Sequence, residues 1–167
     1  MPWVWTWILM NTREIYLALG SNLGNRRKNI MDAVSLLEEG FGSPCLRLSS
    51  LIETEAEGFD GPAFLNAAAL WESSLEPLRI LALCKDVETR LGREQTGIRL
   101  DAEGRRIYSS RPIDVDILLI GDEKIHTPEL CVPHPRMKYR EFVMLPLKEI
   151  IGDLSKFALL ETENKII

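Results

Sequence analysis

The chain has 167 residues, 46% of them hydrophobic and 27% charged, the make-up of one globular domain able to bury a core rather than of two domains. A net charge of -5 argues against a nucleic-acid protein, which needs a clustered basic surface, so an anionic substrate must be held by local arginines and metal ions. Cys45, Cys84 and Cys131 are odd in number, far apart and without C-x-x-C spacing, which excludes a disulfide framework and a zinc site and reads as reduced thiols in a cytoplasmic protein.

The opening MPWVWTWILM is apolar, but it lacks a basic leading region and a cleavage site and is too short to span a bilayer. Residues 1–13 are read as an N-terminal extension, with 1–9 not native and Met10 as the usual start, and 14–167 as a single domain. Ile15 to Leu19 is an apolar run closed by Gly20-Ser21-Asn22, a buried strand ending in a turn. Ile30, Ala33, Val34 and Leu37 then recur at helical spacing, with Asn25 as cap and Gly40 as stop. Leu46 to Thr54 and Ala63 to Trp71 are β-compatible, separated by a polar, Gly-rich loop. Pro77 suits the first turn of a second helix, whose apolar face is Ile80, Cys84, Val87 and Leu91, ended by Gly92.

A long polar stretch, Arg93 to Ser110, follows, and a connection of that length fits either a lid or a tolerated surface insertion. Pro112 to Ile120 is a strand, Lys124 to His126 and Leu130 to Val132 are shorter extended pieces, and Phe142 to Ile151 is expected to form a short, irregular helix broken by Pro146. Strands mostly follow one another without helical crossovers. The expected class is therefore α+β, a ferredoxin-like antiparallel sheet with helices packed on it.

The chemistry concentrates in Pro112-Ile113-Asp114-Val115-Asp116-Ile117-Leu118. Strand periodicity of two puts Asp114 and Asp116 on one face and Ile113, Val115 and Ile117 on the other. Two adjacent carboxylates repel unless a cation or several donors neutralise them, and Mg²⁺ is held by one or two carboxylates plus substrate phosphates. A D-x-D pair also fits an exposed strand edge with solvated acids. Its company weighs toward the metal: Arg111 precedes it, and His134, Arg136, Lys138 and Arg140 follow, a set of positive groups suited to a triphosphate. Gly20-Ser21-Asn22-Leu23-Gly24-Asn25 matches neither the P-loop nor the dinucleotide pattern and reads as a turn.

Taken in order, Tyr16-Leu17-Ala18-Leu19-Gly20-Ser21-Asn22-Leu23-Gly24, Phe64-Leu65-Asn66-Ala67-Ala68, Glu88 with Gly92-Arg93, Arg111 through Leu118, and Val132-Pro133-His134 through Arg140 and Phe142 resemble the 6-hydroxymethyl-7,8-dihydropterin pyrophosphokinase family over roughly residues 14 to 151. The resemblance implies a three-layer αβα fold and transfer of pyrophosphate from ATP to the hydroxymethyl group of the pterin in folate biosynthesis, with AMP as product. It implies two Mg²⁺ ions on Asp114 and Asp116, ATP on Glu88, Arg93, Arg111, Ile117, His134 and Arg140, and the pterin held by Thr54, Phe64, Asn66 and Phe142. Arg93 and Arg111 join the two aspartates as the catalytic set. A monomer is expected, and association with other folate enzymes is left open.

Three departures from the family pattern stand out. Glu55-Ala56-Glu57-Gly58 replaces Pro-Pro-Leu-Gly. Gln95 replaces a second lid arginine, which leaves Arg99, Arg105 or Arg106 to supply that charge. Pro135 follows His134 where an aromatic is common. Two other classes compete: a non-catalytic binding module with a nucleotide pocket, which would have lost an acid or a lid arginine, and a metal-dependent phosphohydrolase, which needs more His and Asp than this chain clusters.

Overall fold

The computed structural model describes residues 11–92, 100–105 and 110–152. In chain order these form β1 (Arg13–Ser21), α1 (Arg26–Phe41), β2 (Arg47–Leu48), β3 (Ile52–Thr54), β4 (Phe64–Ser73), α2 (Pro77–Arg90), β5 (Asp114–Ile120), β6 (Ile125–His126), β7 (Cys131–Val132), a 3-10 turn (Met137–Tyr139) and α3 (Glu141–Ile150). The main sheet runs β2-β4-β1-β5, with β3 also on β4, and every pairing in it is antiparallel. β1 is therefore central and β5 lies at one side of the sheet. Of the residues read as an extension, 1–13, residues 1–10 lie outside the described residues, whereas Arg13 is the first residue of β1 and pairs with Ser73.

The sheet separates two cores. On one face Ile15, Leu17, Leu19, Ala67, Ala69, Trp71, Val115 and Ile117 meet Ile30, Val34 and Leu37 of α1 and Ile80, Cys84 and Val87 of α2. On the other, Tyr16, Ala68, Leu70, Leu118 and Leu119 meet Val143, Met144, Leu147 and Ile150 of α3. The period-two alternation of β1 and β4 supplies both, so the layers are helix, sheet, helix, as expected. A register shift against Tyr16/Leu17 leaves Leu118 opposite no β1 residue. This bulge adds one residue to β5, so that Leu119 joins Leu118 on the α3 side and Ile120 returns to the side of α1 and α2.

Element ends follow local chemistry. The Asn25 side chain accepts from the Lys28 amide at 3.0 Å, capping α1 as expected. The stop is Gly42, not Gly40: α1 continues to Phe41, and Gly42 takes the left-handed conformation (φ 68°) in which its N–H returns to Glu38 O. Gly40 instead lies where α1 meets α2, since a Cβ there would collide with Leu83 Cδ1. The stretch from Leu46 to Thr54 divides into β2 and β3. α3 is a continuous helix with Pro146 inside it, not a broken one. Proline removes one backbone bond at a cost of about 3 kcal/mol, but Val143, Met144, Leu147 and Ile150 seat the helix on the sheet and offset that loss.

Candidate active site

The cleft is built on a row across three strands. Gly20 of β1 pairs with Asn66 of β4 on one side and with Asp114 of β5 on the other, and one step along Ala18 pairs with Ala68 and Asp116. These positions share the parity of Tyr16 and Ala68, so they face the α3 side of the sheet, just beyond the end that α3 covers. The small residues at 18 and 20 leave the floor open between an amide and a pair of carboxylates. The resulting cavity, about 450 Å³, is lined by Gly20, Thr54, Phe64, Asn66, Glu88, Arg111, Asp114, Asp116, His134, Arg140 and Phe142 among others.

On the β4 side, Asn66 is 6% exposed, and its Nδ2 donates to Thr54 Oγ1 at 2.7 Å. That bond fixes the amide plane. A Cβ at residue 20 would meet Asn66 Oδ1 at 3.1 Å and Phe64 Cδ1 at 3.5 Å, so glycine there is what lets both side chains lie flat on the floor. Two aromatics of the cleft carry a cation: the guanidinium carbon of Arg111 is 6.0 Å from the Phe64 centroid, and that of Arg140 is 5.6 Å from the Phe142 centroid.

On the β5 side, Arg111 Nη1 lies 3.5 Å from Asp114 Oδ2, with both side chains largely shielded. Among the described residues no group of three or more His, Cys, Asp or Glu gathers as metal ligands. A cation at the two aspartates would therefore complete its shell from phosphate and water oxygens, which fits Mg²⁺ and not a structural zinc. The His134 amide donates to Leu118 O at 3.0 Å, which docks it beside β5. Burial, then the charges of Arg140 and Arg136, push the His134 pKa below the ordinary 6.5, so the ring is neutral at pH 7. Its Nδ1 accepts from the Arg136 amide at 3.2 Å, which leaves the proton on Nε2 as a donor. Arg140 Nε pairs with Glu57 Oε2 at 3.5 Å, joining the start of α3 to the loop before β4.

A scan against protein-family models matches residues 16–152 to 7,8-dihydro-6-hydroxymethylpterin-pyrophosphokinase (HPPK). The chain belongs to this family. It is similar to the 2-amino-4-hydroxy-6-hydroxymethyldihydropteridine pyrophosphokinases of Bacillus subtilis, with 40% identity over 86% of this chain and 81% of that one, and of Porphyromonas gingivalis, with 41% identity over 81% and 89%. It is also similar to a folate synthesis bifunctional protein of Arabidopsis thaliana, 40% identical over 83% of this chain, where it spans only 27% of the longer protein. Among solved structures, one of HPPK-DHPS in complex with substrates matches with a TM-score of 0.59 and 14% identity, over 84% of this chain and 40% of that one. That likeness is one of fold.

Of the residues expected at an HPPK site, the fold brings Thr54, Phe64, Asn66, Glu88, Arg111, Asp114, Asp116, His134, Arg140 and Phe142 into one cleft. Ile117 differs, because its side chain is 5% exposed in the core under α1 and α2 and only its backbone lies toward the strand edge. Arg93, Gln95, Arg99 and Arg106 lie outside the described residues, so the expected lid and its charges do too. Arg105 is described, and its guanidinium is engaged by Asp101 at 2.9 Å and Glu103 at 3.2 Å.

Sequence reasoning missed Asn22, which it read as part of a turn. Asn22 is 1% exposed. Its Nδ2 donates to Pro62 O at 3.1 Å and Ser110 Oγ at 3.2 Å, while its Oδ1 accepts from the Arg111 amide at 2.7 Å. The Asn22 amide donates in turn to Arg111 O at 3.1 Å. One side chain thus ties the end of β1 to the loop before Phe64 and to the backbone of Arg111. An asparagine after Gly20-Ser21 carries no sequence signal that separates it from an ordinary turn residue.

Proposed function

We propose that this chain transfers pyrophosphate from ATP to the hydroxymethyl group of 6-hydroxymethyl-7,8-dihydropterin, giving the pterin diphosphate and AMP, in folate biosynthesis. The observation that carries the reading is the row Asn66–Gly20–Asp114, which sets a polar edge-reader and an acid pair at the two ends of one open floor. Family membership and the named pyrophosphokinase relatives support the same reaction. A phosphohydrolase reading has no matching cluster of ligands among the described residues.

In this reading Phe64 and Phe142 take the two faces of the pterin, and Asn66, oriented by Thr54, pairs with its edge. Asp114 and Asp116 would hold two Mg²⁺ ions, which would supply charge neutralisation and alignment for the phosphates when bound. Arg111, Arg140, the neutral His134 through Nε2, Glu88 and Arg93 contact the nucleotide. Ile117 contributes by its peptide, since the Val115 amide points away from β1 and residue 117, two further on, repeats that direction.

The pterin hydroxymethyl oxygen attacks the β-phosphorus in line, the bond from the β-phosphorus to the α,β-bridging oxygen breaks, and AMP leaves with that oxygen and its electron pair. The hydroxyl proton is relayed by Asp116. Positioning and electrostatics carry most of the rate, because among the described residues no dedicated strong base stands beside the row. No described helix is long and apolar enough to cross a membrane. The proposal extends to a cytoplasmic monomer with one pyrophosphokinase domain over 14–167.

The test is incubation with ATP, Mg²⁺ and the dihydropterin, followed by nucleotide analysis. AMP is expected, and ADP or free phosphate in its place overturns the assignment. Asp114→Ala and Asp116→Ala are each expected to lower kcat by ~100-fold or more while the fold persists by circular dichroism. Near-normal turnover in either variant removes that residue from the metal site.

A further inference from the structure

The apolar face of α2 was expected to continue from Val87 to Leu91, but the side chain buried there beside Val87 is a carboxylate. Glu88 is 2% exposed. Taking a carboxylate out of water costs several kcal/mol unless donors meet it. Its Oε2 accepts from the backbone amide of Val115 at 3.1 Å, and its Oε1 lies 3.9 Å from Lys85 Nζ, a mostly exposed amine that adds little at that distance.

The amide that Glu88 receives is not an arbitrary one. β5 is paired by β1 along one side only within the main sheet, so the outward amides of β5 have no ladder partner in that sheet. Val115 is the outward residue between Asp114 and Asp116. Its side chain is buried under the helices while its two neighbours face the cleft. The peptide whose N–H Glu88 accepts is the one that joins Asp114 to Val115. Rotation of that peptide would swing the two carboxylates relative to each other, since a strand fixes side-chain direction only as firmly as its backbone is held.

We propose that Glu88 is a positioning residue for the metal site, anchoring the Val115 amide so that the Asp114 and Asp116 carboxylates keep a fixed separation. This rests on the reading of those two aspartates as metal ligands. It gives Glu88 a role apart from any contact with ATP: an acceptor oxygen at the strand edge, not a charge in the ligand shell. Groups that orient ligands from behind typically change metal affinity by ~10- to 100-fold when lost.

Two substitutions separate the possibilities. Glu88→Gln keeps an acceptor oxygen and the volume but removes the charge, whereas Glu88→Met keeps the volume and removes the acceptor. The readouts are Mn²⁺ affinity by electron paramagnetic resonance at ATP concentrations that saturate each variant, Val115 amide exchange by NMR, and dihydropterin affinity by fluorescence. Glu88→Gln is expected to keep the Val115 amide protected and Mn²⁺ affinity within about threefold, and Glu88→Met to expose that amide and weaken Mn²⁺ about tenfold with pterin affinity little changed.

If Glu88→Gln loses Mn²⁺ as badly as Glu88→Met, the charge is what matters and the proposal fails. It also fails if Glu88→Met binds Mn²⁺ normally. Should Glu88→Met not fold, the glutamine variant decides: retained Mn²⁺ affinity with a protected Val115 amide upholds the anchor, and loss of either overturns it. Wild-type protein that binds Mn²⁺ yet forms no AMP would fail the reaction assignment alone.

Discussion

Asn22 shows how much one buried side chain can hold. Truncation to alanine removes the side-chain partner of the Arg111 amide, the Pro62 carbonyl and Ser110 Oγ, three partly buried bonds each worth roughly 0.5–1.5 kcal/mol net. Asn22→Ala is therefore expected to lose about 2–4 kcal/mol in urea unfolding and to slow turnover, because Arg111 loses its backbone register. A loss below about 0.5 kcal/mol, the scale of an ordinary surface substitution, would count against that role. His134 makes a pH prediction whose sign follows from its environment. Burial and two arginines hold its folded-state pKa below the ordinary 6.5, so the unfolded chain takes up the proton first as acid is added. The stability tied to the neutral ring is present above pH 6.5 and is lost as the pH falls through the folded value. Urea midpoints of the wild type should fall more steeply between pH 7.5 and 5 than those of His134→Gln, and parallel curves would refute it. The Asp114/Asp116 parity was legible because a period of two is local. The anchoring bonds of Asn22 and Glu88 were not, because their partners lie 40 to 89 and 27 residues away and nothing in a turn or a helix face announces them.

At the level of elements, the loop between β3 and β4 sets acidic residues beside the cleft, and the fold shows one effect of them. Glu57 gives Arg140 a carboxylate that, in the proposed ATP site, would compete with phosphate for the same guanidinium. Glu57 is 62% exposed, so the pair is weak and salt-sensitive. Glu57→Gln is expected to lower the KM for ATP about twofold at low salt, with the difference vanishing near ~0.5 M salt. An unchanged or higher KM at low salt would show that the pair does not compete. Helix identities were readable from spacing, but two of their details were not. Gly40 and Gly42 both look like stops, and only the approach of Leu83 reserves Gly40 for a helix contact. Pro146 looks like a break, and only the apolar face beneath α3 keeps the helix whole.

Across the whole molecule, one sheet serves two cores, and the cleft opens on the side that α3 covers. Leu147 is fully buried there, so Leu147→Ala is expected to cost roughly 2–5 kcal/mol. Because both cores share β1, β4 and β5, the loss should appear as one cooperative transition, identical by fluorescence and circular dichroism. Two separated transitions would mean that the layers unfold independently. The α+β class was legible from the order of the elements, while the pairing of Gly20 with both Asn66 and Asp114 was not, because register is a tertiary fact. That register has a metric consequence. The span from Asn66 to Asp114 is two strand spacings, roughly 10 Å, set by backbone hydrogen bonds that no side chain supplies. The sheet is thus a ruler graduated in strands, and sequence drift around the cleft can alter grip and charge without changing the length of arm an alcohol needs to reach from one end to the other.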